Sequence, residues 1–358
     1  MVACAYKLKQ KEGVPMDKIQ VGIVGTGIYL PKDIMTAREI SKATKGVWSE
    51  PAVIDKLGII QKTIPSKDPK KDGTQEMGAL AALDALKNTG IDPLEIDVIL
   101  SITEEWKEYP LTTSALYIQD RIGALNAWGI DVQNRCCTTV SAMKMAKDML
   151  VADDEINVVM VVGGYRNGDF VDYADKDMSM MFNLGAGGGA IILKKNYGKN
   201  SLLGSHIIAD GSLSRTAGVA IGGICNPITP ANVDEAKKSL RLLDPVKMKN
   251  RLNEVSMPNW FKCIDESLRK SNLERKDIDF LDILHIKRSG HEYMMDELGL
   301  LPKQTIYLEE YGHIGQIDQI LSLHLALQKG LVKDGSVVCM LAAGIGYVWA
   351  ANIIKWGT

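Results

Sequence analysis

Two adjacent thiols and two histidines far along the chain hold the chemistry this sequence could do. In Asp131-Val-Gln-Asn-Arg-Cys136-Cys137-Thr-Thr-Val-Ser-Ala, a thiol stands where a short strand (128–132) gives way to a helix. Val140, Met143, Ala146 and Leu150 then recur at helical spacing, which puts Cys136 at or just before the first turn. Unpaired N–H groups and the positive end of the helix dipole there favour thiolate, the nucleophilic form. A lone cysteine is otherwise a small buried hydrophobe, so the candidate rests on its position and on the histidines downstream. In Ile283-Leu-His285-Ile-Lys-Arg288 a histidine follows a buried strand, where a fixed backbone can hold an imidazole in a pocket. In Tyr311-Gly-His313-Ile-Gly-Gln316 a second lies between glycines, ahead of a helix with Ile317, Ile320 and Leu321 on one face. Either ring could equally be a hydrogen-bonded structural residue. His206, His291 and His324 lack such settings and read as structural.

The stretch Leu341-Ala-Ala-Gly344-Ile345-Gly346-Tyr-Val-Trp349 is a strand that stops at two glycines and resumes. Such a kink exposes N–H groups, the raw material of an oxyanion hole; an ordinary hairpin turn is the plain alternative.

Strands and helices alternate along the chain, which predicts an α/β architecture. The strand candidates are 19–24, 96–102, 158–163, 189–193, 202–208, 280–285 and 336–341. One helix is expected over 74–88, opened by a Thr cap and closed by Gly90, and another over 258–270. The composition turns polar at 194–200, where a second half begins. The glycines of Val24-Gly25-Thr26-Gly27-Ile28-Tyr29-Leu30 invite a dinucleotide-binding reading, but Leu30 replaces the third glycine and Pro31 follows at once. A tight turn after the strand accounts for the same letters.

A chain of 358 residues with a formal net charge of -2 lacks the excess Lys and Arg of a general nucleic-acid binder. The six cysteines show neither zinc-site spacing nor scaffold density, so no metal is indicated and a reducing compartment fits. Residues 1–17 carry lysines but no apolar core, and no later apolar run is long enough to span a bilayer, so no membrane role and a cytoplasmic location are expected. A basic stretch runs from Lys237 through Arg241, Lys247, Lys249 and Arg251. It reads as a solvated face or as a landing site for an acidic partner or phosphate.

Five further segments run through nearly the whole chain: Gly22-Ile-Val-Gly-Thr-Gly-Ile-Tyr-Leu-Pro31; Leu57-Gly-Ile-Ile-Gln-Lys with the Met77-Gly-Ala-Leu-Ala-Ala helix; Tyr109-Pro110 leading to Ile118-Gln119; Gly185-Ala-Gly-Gly-Gly-Ala-Ile-Ile; and Ala209-Asp-Gly211. In this combination the sequence resembles the thiolase superfamily, closest to the β-ketoacyl-acyl-carrier-protein synthase III branch, with a secondary likeness to hydroxymethylglutaryl-CoA synthases. The resemblance implies a duplicated α/β/α/β/α layered fold, with a half at 18–196 carrying the nucleophilic cysteine and a half at 201–358 carrying the two histidines. It implies that Cys136 accepts the acyl group and that His285 is the first catalytic histidine. The N–H groups of Cys136 and Ile345 would form the oxyanion hole. It also implies a homodimer, with the region around Tyr109 reaching toward the partner's pocket, and acyl-CoA and acyl-carrier-protein thioesters as substrates with no permanently bound cofactor.

Several positions depart from that branch. His313 stands where asparagine is common, giving a Cys-His-His set. Lys56 replaces an arginine, Ala52 a tryptophan that stacks on adenine, and Gly290 another arginine. Lys56, Lys247 and Lys249 are the candidates for binding CoA or a carrier protein. Glu104, in Ile102-Thr-Glu104-Glu-Trp106, falls where hydroxymethylglutaryl-CoA synthases place a general acid/base; among Glu105, Lys107 and Glu108 it also reads as a solvated loop acid. The expected activity is decarboxylative Claisen condensation of a Cys-bound acyl group with a malonyl thioester, in fatty acid or polyketide biosynthesis. The alternatives are non-decarboxylative condensation or acyl transfer with Glu104 as base, and a non-catalytic scaffold that keeps the fold.

Overall fold

Side-chain alternation along the strands decides where the core lies. The computed structural model describes residues 19–68 and 70–357; Cys4 and the lysines of residues 1–17 fall outside them. In Val158–Tyr165 every residue is buried, and successive side chains point to opposite faces. Val159 and Val161 join a large cluster shared by both parts of the chain, whereas Val158, Met160 and Val162 face a smaller one against the helix Thr74–Thr89.

Among the described residues the main sheet has nine strands: Val21–Tyr29 (β1), Val98–Ser101 (β2), Trp128–Asp131 (β3), Val158–Tyr165 (β4), Gly187–Lys195 (β5), Ser201–Ala209 (β6), Phe280–Ile283 (β7), Val337–Gly344 (β8) and Val348–Lys355 (β9). Their spatial order is β3-β2-β4-β5-β1-β6-β9-β8-β7. In the first five, β2 runs parallel to β3 and β4, while β5 is antiparallel to β4 and β1. The second set repeats the scheme: β7 is parallel to β8 and, through a single bridge, to Thr305, while β9 is antiparallel to β8 and β6. The Gly22–Ser201 pair joins the two sets.

Among the described residues six helices of nine residues or more pack on this frame: Thr74–Thr89 (α1), Ser114–Ile122 (α2), Thr138–Ala152 (α3), Pro245–Lys270 (α4), Arg288–Glu297 (α5) and Asp318–Gln328 (α6). α1 covers β1, β4 and β5; α4 covers β6 and β9; α3 and α6 lie between the strand sets and touch both. The result is a layered α/β/α/β/α arrangement whose middle layer carries the N-termini that matter below.

Three local expectations are corrected. Gly25-Thr26-Gly27 is not a turn: β1 continues through it to Tyr29, with one bulge between Ile23 and Gly25. Its glycines answer to packing, since a Cβ on Gly27 would lie 2.2 Å from the Ala85 nitrogen of α1. Gly188, facing the same helix, would meet the Met77 carbonyl oxygen at 2.1 Å. Thr74 does not cap α1; the cap is Gly73, and the Glu108 carboxylate accepts from the Gln75 and Glu76 N–H groups instead. Gly90 closes the helix in the left-handed conformation, as expected (φ 70°). α4 begins at Pro245, not Pro258: Asp244 accepts from the Lys247 N–H at 3.0 Å, and Pro258 lies inside the helix. The run of lysines and arginines on its exposed first turns hides its period. No helix of the described residues is long and apolar enough to cross a membrane.

Candidate active site

Cys136 sits in a short 3-10 turn, Arg135–Cys137, that runs directly into α3. Thr138 ties the turn together, accepting from the Asn134 N–H at 2.8 Å and donating to the Arg135 carbonyl at 2.5 Å. Arg135 occupies the left-handed region at φ 54°, which costs backbone energy and turns the next side chain into a cavity. That cavity measures 1390 Å³ and is lined largely by apolar side chains; Cys136, His285, His313, Glu104 and Ile345 all open onto it. The neighbouring Cys137 is fully buried, donates to the Val348 carbonyl at 3.4 Å, and has its pKa raised well above the usual thiol range by burial.

His313 faces Cys136 directly, with Nε2 3.1 Å from Sγ. Its Nδ1–H donates to Asp318 Oδ2 at 2.5 Å. Asp318 is the first residue of α6 and completely buried; it also accepts from the Ile314 N–H and from the His285 backbone N–H, each at 2.7 Å. Burial alone would depress the pKa of His313, but the charges of Asp318 and Cys136 outweigh it and hold the imidazole well above its ordinary value. The arrangement is a Cys–His–Asp chain in which the imidazole is placed to exchange a proton with the thiol. The glycines flanking the histidine permit this approach: Gly312 has φ 79°, and a Cβ on it would lie 2.6 Å from the Asn183 carbonyl.

His285 has a different setting. Its Nε2 lies 3.1 Å from the Gly58 carbonyl, which can only accept, so Nε2 carries the proton. Nδ1 is then a bare acceptor and takes the Asn183 amide N–H at 3.1 Å. The ring stacks on Tyr307 with centroids 5.0 Å apart, and burial pushes its pKa down to about 4.

Glu104 is buried, 3% exposed, and is not the solvated loop acid that its charged neighbours suggest. Oε2 accepts from Asn167 at 3.0 Å and pairs with Arg135 at 3.4 Å, while Oε1 is buried with no partner. Burial raises its pKa, opposed in part by the Arg135 charge. Arg135 also pairs with Glu105.

Ile345 follows the end of β8, where Gly344 packs so closely that a Cβ would lie 2.6 Å from the Asn134 carbonyl oxygen and 3.2 Å from the Cys136 nitrogen. The structure thus brings Cys136, His285, His313, Glu104 and Ile345 to one cavity. Lys56, Lys247 and Lys249 are exposed and do not line it; Lys237 and Lys287 do. Two members of the basic stretch are matched by acids, Arg241 by Asp172 and Asp175, and Arg251 by Asp210 and Glu254. Sequence reasoning missed Asp318, Asn183 and Lys287. Only Asp318 left a signal, as an acid opening an otherwise apolar helix face five residues after His313. Among the described residues no group of three His, Cys, Asp or Glu side chains is placed to hold a metal ion.

Two family models match the chain: 3-oxoacyl-[acyl-carrier-protein] synthase III over residues 130–211, and the C-terminal part of the same family over residues 268–356. Along these stretches the chain is β-ketoacyl-acyl-carrier-protein synthase III-like. This synthase III-like chain is 28% identical over 352 residues to the β-ketoacyl-[acyl-carrier-protein] synthase III of Clostridium tetani, covering 95% of this chain and all (100%) of the relative. To that of Caldanaerobacter subterraneus it is 26% identical over 344 residues, covering 95% and 99%. Among solved structures, the fold matches the Aquifex aeolicus 3-oxoacyl-[acyl-carrier-protein] synthase III with a TM-score of 0.79 at 21% identity, over 94% of this chain and 100% of that one. It also matches Xanthomonas campestris OleA, solved with lauric acid and lauroyl-CoA, with a TM-score of 0.78 at 16% identity, over 94% and 99%. These likenesses establish a thiolase-like fold for the layered architecture described above.

Proposed function

We propose that the protein is a condensing acyltransferase that joins an acyl group carried on Cys136 to a malonyl thioester with loss of CO2. The observation that carries this reading is the 3.1 Å contact of Cys136 Sγ with His313 Nε2, backed by buried Asp318, at an apolar cavity. The thiolate attacks the carbonyl of an acyl-CoA, the oxyanion is received by the N–H groups of Cys136 and Ile345, and CoA leaves as a thiol on the His313 Nε2 proton, which the ring regains from solvent. A malonyl thioester on a carrier protein then enters. Its carboxylate departs as CO2, and the electron pair of that C–C bond becomes an enolate whose oxygen accepts from His313 Nε2–H and from His285 Nε2–H, which gives up the Gly58 carbonyl. The enolate carbon attacks the acyl carbonyl, the new C–C bond forms, and the Cys136 C–S bond breaks to return the thiolate.

The division into halves at 18–196 and 201–358 is supported by the repeated strand order. A homodimer is supported by the edge strand β3, which leaves Trp128 and Ile130 exposed on alternate positions. Lys237 and Lys287 at the cavity are the preferred contacts for CoA phosphates or an acidic carrier, ahead of Lys56, Lys247 and Lys249. The size and apolar lining of the cavity favour acyl groups longer than acetyl. A cytoplasmic location fits acyl-CoA and carrier-protein substrates.

Purified protein mixed with a panel of acyl-CoAs should gain one acyl mass per chain, and Cys136→Ala should gain none. An adduct on that variant would reject the nucleophile. A second reading, non-decarboxylative condensation or acyl transfer with Glu104 as base, is favoured by one observation, the unpartnered Oε1 of a buried carboxyl with raised pKa at the same cavity. Glu104→Gln decides between the two: full turnover with malonyl donors removes Glu104 from the chemistry.

A further inference from the structure

Lys62 is among the most deeply buried side chains of the protein, 1% exposed, on the short strand Gln61–Ile64. A lysine is rarely enclosed in this way unless its polar atoms are fully used. Its Nζ donates to the Phe182 carbonyl at 2.8 Å, the Leu184 carbonyl at 2.7 Å and the Tyr173 hydroxyl at 2.7 Å. The Tyr173 hydroxyl sends its own proton to the Met35 sulfur at 3.5 Å, which frees its lone pairs for the lysine. All three partners are neutral oxygens, and burial pushes the Lys62 pKa down to about 7. A buried ion pair therefore does not account for the residue.

Two of those carbonyls bracket Asn183, and Asn183 serves both catalytic-site histidines. Its side-chain amide donates to His285 Nδ1, and its carbonyl accepts the His313 N–H at 2.8 Å. Two residues on, the Gly185 N–H donates to the His313 carbonyl at 2.8 Å. The Lys62 stem also abuts the turn that carries His313, since a Cβ on Gly312 would lie 2.7 Å from the Lys62 Cβ. On the reading that Cys136 and His313 act as nucleophile and base, we propose that Lys62 is a positioning residue: its amino group clamps residues 182–184 so that Asn183 fixes the His285 ring and the His313 backbone together. The clamp acts on both histidines at once and touches neither, nor any reacting atom.

Lys62→Met keeps the stem and removes the donors. The expected result is a kcat for condensation lowered about 100-fold, as for a catalytic group displaced by about an ångström, with the KM for acyl-CoA within about threefold. The pH profile for alkylation of Cys136 by iodoacetamide should move to higher pH as His313 loses alignment. Lys62→Arg, which can reach the same carbonyls, should restore most of both. Tyr173→Phe removes one partner with little change of shape and should shift both readouts in the same direction by about threefold. An unchanged kcat and alkylation profile in folded Lys62→Met overturns the proposal. If that variant does not fold, unchanged values in Tyr173→Phe do so. Alkylation needs no substrate, so it reports on the clamp even if the wild-type protein takes up no acyl group, a result that would count against the proposed function alone.

Discussion

The strand-end pocket of His285 and the glycine-flanked turn of His313 are both buried, yet they drive their imidazoles in opposite directions. His285 meets a carbonyl, an amide and an aromatic face, and burial is left to keep it neutral. His313 meets a carboxylate on one nitrogen and a thiol on the other, and those charges overrule the same burial. The partner, more than the depth, sets the protonation state. In the proposed mechanism this becomes a division of labour: His313 manages the proton of Cys136, and His285 offers an N–H.

The sharpest way to break this comparison is His313→Ala. Acyl-adduct formation on Cys136, followed by intact mass, should slow about 10³-fold; a variant acylated within tenfold of wild type would mean that His285 or Glu104 is the working base. Asp318→Asn should slow acylation about 10²-fold, toward the effect of the corresponding change in other buried His–Asp pairs. It should also carry the iodoacetamide profile of Cys136 to higher pH. His285→Ala should leave that profile in place while condensation with a malonyl donor falls about tenfold or more. Equal losses in both assays would erase the distinction between the two rings.

The smallest effect is on stability, where the two histidines should differ in sign. His285 is held at about 4 against an ordinary 6.5, so between those values the unfolded chain binds more protons. Its contribution is complete above pH 6.5 and fades as the pH falls toward 4. His313, held above 6.5, contributes below that pH and loses its contribution as the pH rises through the raised folded value. Denaturant unfolding at about pH 7 and about pH 5 should show an acid-side loss of about 2 kcal/mol from His285 that His285→Ala removes. His313→Ala should leave that loss intact.

Much of this was legible in the residues. The thiol before a helix, the histidine after a strand and the glycine-bracketed histidine announced themselves, because each stands where two local periods meet. The groups that tune them did not. Lys62 sits in Gln-Lys-Thr, where nothing in the letters places the lysine inside, and only the fold reveals that the Phe182 and Leu184 carbonyls hold it. Asn183 follows Met180-Met-Phe with nothing to mark it. Glu104 was obscured by its charged neighbours, which point elsewhere: Lys107 pairs with Asp131, and Glu108 caps α1. The glycines of β1 misled in the opposite direction, since their small size serves a helix lying on the sheet and not a bend in the chain.

The contact of Gly344 with residues 134–136 has a bearing on how the protein comes into being. The thiol belongs to an earlier-made part of the chain than the imidazole, its carboxylate and the Ile345 N–H, which all come from residues 313–345. On the proposed mechanism, a nascent chain therefore emerges with its sulfur unarmed until residues 313–345 have packed against it.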